Sequence, residues 1–262
     1  MPAVAEMRAV RLHDDGLRVE RIPVPRPAAG EAVVRVHAAA ITRDELTWPT
    51  DRLPATPSYE LSGVVAEVGP GVDDLAAGDE VFALTPFDRD GVAADYAAVP
   101  ASVLSPRPRA LTRVQSAALP MPGLTAWQGL FDHGKLAAGE RVRVLGQRGG
   151  VGHLAVQLAG GQLAGDEEPC ELVFDTVGGH ALAAAVGSAP RVVSVAEEAE
   201  GVTYFIVEPN REQLRELAAR ADAGELRPEI DSVFELEDAP AAFARVAERG
   251  KHGKVVLRVA GE

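Results

Sequence analysis

Residues 141–159, Arg-Val-Arg-Val-Leu-Gly-Gln-Arg-Gly-Gly-Val-Gly-His-Leu-Ala-Val-Gln-Leu-Ala, constrain this chain more than any other stretch. An apolar strand over 141–145 runs into Gly146, Gly149, Gly150 and Gly152, and a helix is predicted over 150–159. Glycine lets the backbone turn tightly and approach a ligand closely. The unpaired N–H groups and the dipole at a helix start attract an anion. In dinucleotide-binding folds that anion is a pyrophosphate. The glycine pattern by itself is equally that of a tight strand-to-helix turn with no ligand, so its neighbours have to decide.

The two sides of this turn differ. Before it, strands are predicted over 7–13, 17–21, 31–39, 61–68, 79–84 and 92–99, the last three each bounded by glycine or proline. Pro23, Pro25 and Pro27 make a stiff connection among them. Many short strands with turn signals point to a small barrel or sandwich. From Ser116 the pattern changes. Helical spacing over 116–133, limited at its start by Pro120 and Pro122, is followed by strands at 141–145, 171–175, 191–195 and 203–207. Helices at 150–159, 180–186 and 210–223 alternate with them, the last with Asn210 as cap and Gln213 three residues on. Alternation of this kind predicts a parallel sheet covered by helices. The tail, 232–259, reads as strand, helix (238–249) and strand.

Charge and cysteine content remove several function classes. Thirty-nine acidic against 26 basic residues leave a net charge of −13, which repels a phosphate backbone and predicts no nucleic-acid partner. The single cysteine, Cys170, can form no internal disulfide and no cysteine-rich zinc site. The first ten residues show no secretory pattern, and no apolar run reaches membrane-spanning length. The expectation is a cytoplasmic protein with no membrane association.

Beyond the turn, ordered matches run along most of the chain: Met7-Arg-Ala-Val, Pro27-Ala-Ala-Gly-Glu-Ala-Val-Val-Arg-Val, Leu61-Ser-Gly-Val-Val-Ala-Glu-Val-Gly-Pro-Gly-Val and Ala77-Gly-Asp-Glu-Val-Phe. They continue in Leu119-Pro-Met-Pro-Gly-Leu-Thr-Ala-Trp, Gly149-Gly-Val-Gly, Asp175-Thr-Val-Gly-Gly and Gly253-Lys-Val-Val-Leu-Arg. With them the chain resembles the zinc-independent, quinone oxidoreductase-like (zeta-crystallin-like) branch of the medium-chain dehydrogenase/reductase superfamily. The resemblance implies an α/β fold with a GroES-like β-barrel domain, residues 1–115 and 230–262, and a Rossmann-like parallel-sheet domain, residues 116–229. It implies a cleft between them and NADPH-dependent reduction of quinones or activated C=C bonds. Zinc-dependent relatives carry cysteine and histidine ligands in the first domain. Here Thr42 stands near the cysteine position, and Tyr59-Glu60 stand where a His-Glu pair would be. The six histidines show no ligand spacing, so no metal site is predicted.

The pattern breaks after the turn. A further βαβ step takes roughly 30 residues, yet only residues 160–170 separate the turn's helix from the strand at 171–175. A ribose-binding acid is expected about 20 residues past the glycines, and Asp175 stands near that spacing. The resemblance instead assigns Asp175-Thr-Val-Gly-Gly to a later strand, leading to the nicotinamide half, so the Rossmann-like domain is predicted to be truncated. Gln147 and Arg148 replace small residues in the turn. Arg148 can pair with a phosphate, and the two side chains can also crowd one.

Two functions follow. In the first, the chain is an NADPH-dependent quinone or enone reductase. The resemblance then assigns cofactor binding to Thr42, Thr125, Arg148, Gly149, Gly150, Val151, Gly152, Val177, Gly178, Phe205 and Val207. In the second, NADPH binding is lost and the cleft serves non-redox chemistry, such as cyclisation, dehydration or isomerisation of a polyketide-like substrate. Asp44, Tyr59 and Glu60 are the acid/base candidates there. Both readings expect a small, apolar, carbonyl-bearing substrate. The apolar edge at 203–207 suggests a homodimer.

Overall fold

The structure is a computed structural model and describes residues 5–48, 52–166, 168–248 and 250–260. Arg249, the end of the predicted helix 238–249, lies outside the described residues, as do residues 1–4.

The chain opens with an antiparallel hairpin, β1 (Glu6–His13) and β2 (Gly16–Pro23). Next come β3 (Glu31–Ile41), β4 (Glu60–Val68), β5 (Glu80–Leu84), β6 (Tyr96–Pro100) and β7 (Ser105–Pro106). Two helices, α1 (Arg113–Ala117) and α2 (Pro120–Trp127), lead to the second sheet. That part runs β8 (Val142–Leu145), α3 (Gly152–Ala159), β9 (Leu172–Asp175), α4 (Gly179–Ala185), β10 (Arg191–Ser194), β11 (Thr203–Tyr204) and α5 (Arg211–Asp222). The chain then returns through β12 (Ile230–Glu235), α6 (Ala239–Ala247) and β13 (Lys254–Arg258).

The return closes the first sheet, whose order is β12-β13-β3-β4-β5-β7 with β6 also on β3. β13 runs antiparallel to β3, pairing Val255 with Ile41 and Leu257 with Ala39. This is the GroES-like part. β3 alternates on paper, but only Arg35 is exposed along it. Val34, Val36, Ala39 and Ile41 enter the main barrel core. Ala38 and Ala40 pack with Ala117 and Ala118 around α1, where small side chains allow close approach.

The second sheet is wholly parallel, in the order β11-β10-β9-β8. A six-stranded doubly wound sheet would continue past the strand that carries the glycine turn. Among the described residues β8 instead meets a single bridge there, Val142 to Leu163. The expected truncation is therefore visible as an absent flank. One continuous core underlies both sheets: Phe82 and Leu84 of β5 pack with Leu119 and Leu124 of α2, Val144 of β8, Phe174 of β9 and Leu217 of α5.

Several boundaries moved for identifiable reasons. The strand predicted over 92–99 is Tyr96–Pro100, because residues 92–95 turn to bond Ser58, Pro57 and Arg8. The helix predicted over 116–133 is split. Pro120 takes the first position of α2, where its missing N–H costs nothing, and a wider turn follows over Gln128–His133. A complete capping box, Thr112 with Gln115, starts α1 and was not read from the sequence. Asn210 does cap α5, accepting from the Gln213 amide at 3.0 Å, but the Gln213 side chain goes to Asp132 and Gln128. The strand predicted over 203–207 keeps only two residues.

A candidate active site between the two sheets

A cleft of about 1670 Å³ separates the barrel from the C-terminal ends of the parallel strands. Ligands of open α/β sheets bind at that end of the strands. The glycine turn forms one wall, and its glycines divide the work. Gly146 has φ +85°, and a Cβ there would lie 2.5 Å from both Thr176 Oγ1 and Val177 Cγ2. A Cβ on Gly152 would lie 2.0 Å from the Gly146 carbonyl oxygen. These two make the turn possible. Gly152, at the start of α3, stands behind the cleft wall and packs on Gly146. Gly149, Gly150 and Val151 do line it. Among the described residues the Gly150 and Val151 amides donate to no protein acceptor. Arg148 is exposed, lines the cleft and has no ion-pair partner among the described residues. It is therefore free to meet an anion, and Gln147 is exposed beside it.

His153 fastens this wall. The Glu229 amide donates to Nε2 at 3.0 Å, so the ring proton sits on Nδ1 and is donated to the Gly149 carbonyl at 2.9 Å. Burial holds the imidazole pKa below its ordinary value, which keeps the ring neutral. Gln157 adds two bonds to the Arg227 backbone, from Nε2 to the carbonyl at 3.1 Å and from the amide to Oε1 at 2.7 Å.

The floor is ionic. Lys254 Nζ donates to the Glu60 carboxylate and, at 3.0 Å, to Thr42 Oγ1. Glu60 Oε1 accepts from the Met121 amide at 3.1 Å. Glu60 is fully buried behind the cleft wall, where it anchors Lys254 and the start of α2. Burial pushes its carboxyl upward against the pull of Lys254. Glu45, which the sequence reading missed, lies beside it. Its carboxyl accepts from the Thr42 and Ser58 amides, each at 2.9 Å. Burial pushes its pKa up to about 8, opposed by the Thr42 amide and Lys254.

The remaining predicted residues separate by environment. Asp44 is exposed at the rim in a left-handed backbone conformation, φ 63°, with Arg43 3.7 Å from its carboxylate and Lys251 within its electrostatic reach. Tyr59 lines the cleft, stacked on Trp48 at 5.8 Å and edge-on to Phe87 at 5.2 Å. Burial and the Glu45 carboxyl raise its phenol pKa. Thr125 lines the cleft while its hydroxyl donates to the Met121 carbonyl at 2.6 Å. Phe205 is mostly buried against His133, ring centroids 4.3 Å apart, with one edge on the cleft. Val177 and Val207 line it too. Gly178 does not; with φ +74° it starts α4 and donates to Asp175. Asp175 itself is fully buried and accepts from Val177, Gly178 and the Ser194 hydroxyl. It sits between β8 and β10, so the spacing that matched a ribose ligand was misleading.

Beyond the turn, on the free side of β8, lie residues 160–166 and 168–171 of the connection to β9. Arg141 donates to the Leu163 carbonyl and the Glu168 carboxylate, and Arg143 to the Gly165 and Glu168 carbonyls. Asp166 faces the cleft from this connection.

The comparisons agree with this architecture. Residues 28–109 match the family described as the alcohol dehydrogenase GroES-like domain, and 153–257 match the zinc-binding dehydrogenase family. The donor set here does not suit zinc. Thr42, Tyr59 and Met121 offer no set of nitrogen or thiolate ligands, and no group of three or more His, Cys, Asp or Glu among the described residues is placed to hold a metal. A probable zinc-binding oxidoreductase, mitochondrial, of Arthroderma benhamiae is 28% identical over 93% of this chain and 92% of its own length. The 2-methylene-furan-3-one reductase of Solanum lycopersicum is 29% identical over 97% of this chain and 79% of its own. Both alignments span 309 positions against 262 residues here, so the relatives carry a stretch that this chain lacks. The crystal structure of an alcohol dehydrogenase superfamily protein from Novosphingobium aromaticivorans superposes with a TM-score of 0.87 at 27% identity, covering 97% of this chain and all of the other. No helix among the described residues is long and apolar enough to cross a membrane. Barrel, parallel sheet, glycine turn and returning strand together place the chain in the medium-chain dehydrogenase/reductase superfamily, as a quinone oxidoreductase-like member whose parallel sheet has lost one flank.

Proposed function

We propose that the chain reduces a quinone or an activated C=C bond of a small, apolar carbonyl compound in the cleft, using NADPH and no zinc. The observation that carries this reading is the convergence of one free arginine, two free amides and an apolar aromatic wall on a single cleft. The enone reductase relative supports the substrate class. A bound reduced nicotinamide supplies the hydride. Gly150, Val151 and Arg148 would hold its phosphate, and Thr42, Thr125, Val177, Phe205 and Val207 would line its nicotinamide side. Trp48, Tyr59 and Phe87 exclude water from the acceptor. Tyr59, with its raised pKa, keeps a proton for the acceptor's oxygen. The outer edge of β11, with Ile206 67% exposed beside it, forms the homodimer contact; light scattering at high concentration checks this, and a monomer would contradict it.

Calorimetric titration with NADPH tests the cofactor. Binding is expected in the micromolar range, and Gly150→Leu should weaken it at least about thirtyfold with an unchanged melting temperature. The position has room only up to the Lys254 side chain, 3.4 Å from a Cβ. The truncated sheet favours one competing reading, non-redox chemistry in the same cleft. It predicts substrate conversion with no nicotinamide present.

A further inference from the structure

Resting on that reading, we propose that the cleft recognises its cofactor solely by the nicotinamide mononucleotide half, so that reduced nicotinamide mononucleotide (NMNH), NADH and NADPH bind alike. The nicotinamide side is built: the free Gly150 and Val151 amides and Arg148 stand where one phosphate meets the turn, and the strand ends carrying Val177 and Phe205 follow. The adenosine side is not. An adenosine needs the strands beyond β8, and a 2′-phosphate needs a free cation among them. In their place runs the connection 160–171, whose two nearest arginines, Arg141 and Arg143, are spent on its own carbonyls and on Glu168. Among the described residues of this connection, the side chain presented to the cleft is a carboxylate, Asp166, which repels a phosphate. Among the described residues on this flank neither a groove for adenine nor a free cation for the 2′-phosphate remains, so the part of the dinucleotide that separates NADPH from NADH, and both from the mononucleotide, would extend into solvent.

Titrating the full chain by calorimetry with NMNH, NADH, NADPH and adenosine 2′,5′-bisphosphate tests this. The three nicotinamides should bind with dissociation constants within about threefold of one another, and the bisphosphate should show no saturable heat at about 1 mM. Arg148→Ala should weaken all three by a similar factor, about tenfold. NADPH binding more than about thirtyfold tighter than NMNH, saturable bisphosphate binding, or an Arg148→Ala loss confined to NADPH would each overturn the inference and leave the proposed function standing. Failure of all three nicotinamides to bind would overturn both.

Discussion

The two flanks of β8 could hardly differ more. Toward β9 the strand pairs residue for residue from Val142–Leu172 to Leu145–Asp175, and β10 and β11 follow in parallel. Away from β9 it meets one bridge to Leu163 and a connection held by arginine side chains. Yet the glycine turn at its end is complete. Gly146 packs on Thr176 and Val177, Gly152 on Gly146, and His153 ties the turn to Glu229. All of these contacts lie on the kept flank or behind it. The turn can therefore be assembled from one flank alone. A glycine-rich turn reports the fold, while the strands beyond it decide how much of a dinucleotide the site can grip.

Substitutions on each flank test this asymmetry. The largest effect is expected for Gly152→Val, whose Cβ would meet the Gly146 oxygen. Chemical denaturation should show a loss of more than about 3 kcal/mol, and a loss near zero would mean that the turn is not pinned from the kept flank. Lys254→Met, beneath the turn, leaves Glu60 buried without its cation. It should cost about 3–5 kcal/mol, largely recovered in the double variant with Glu60→Leu. The pH dependence comes next. Glu45 is pushed up to about 8, so the folded chain holds its proton more tightly than the unfolded one. Its contribution is full below the ordinary carboxyl range and is lost as pH rises through about 8. Melting temperature should fall between about pH 5 and pH 8, and Glu45→Gln should flatten that slope. The smallest effect is expected on the absent flank. Arg143→Ala should cost no more than about 1 kcal/mol, with faster amide exchange at 163–166 and none of the change spreading to 172–175. Spread into β9 would show that the two flanks are coupled.

Much of this was legible because it rests on local chemistry. The turn, the alternating elements after Ser116 and the shortage of residues between Ala159 and Leu172 follow from spacing, and the sheet order bears them out. Spacing alone would mislead at Asp175, because distance along the chain counts residues without knowing that the strands beyond β8 are gone; the match of Asp175-Thr-Val-Gly-Gly to a later strand corrects it. Spacing was silent on the partner of Glu60, since nothing local says that Lys254, 194 positions later, returns on β13 to meet it. Glu45 was missed for the same reason: its burial is made by Ser58 and Thr42 across a loop, and a short polar run such as Arg43-Asp44-Glu45 reads as solvent-facing. Asp44, its neighbour, does face solvent.

The central claim, a hydride-transfer cleft that works without zinc, is tested most directly by turnover. Loss of dihydronicotinamide absorbance should be followed with a panel of quinones and cyclic enones, in chain prepared with a chelator. The account predicts NADPH oxidation matched one to one by saturated or hydroquinone product and unaffected by the chelator. Conversion of the acceptor with no nicotinamide present and no oxidation when it is added, or activity abolished by the chelator and restored by zinc, would contradict it.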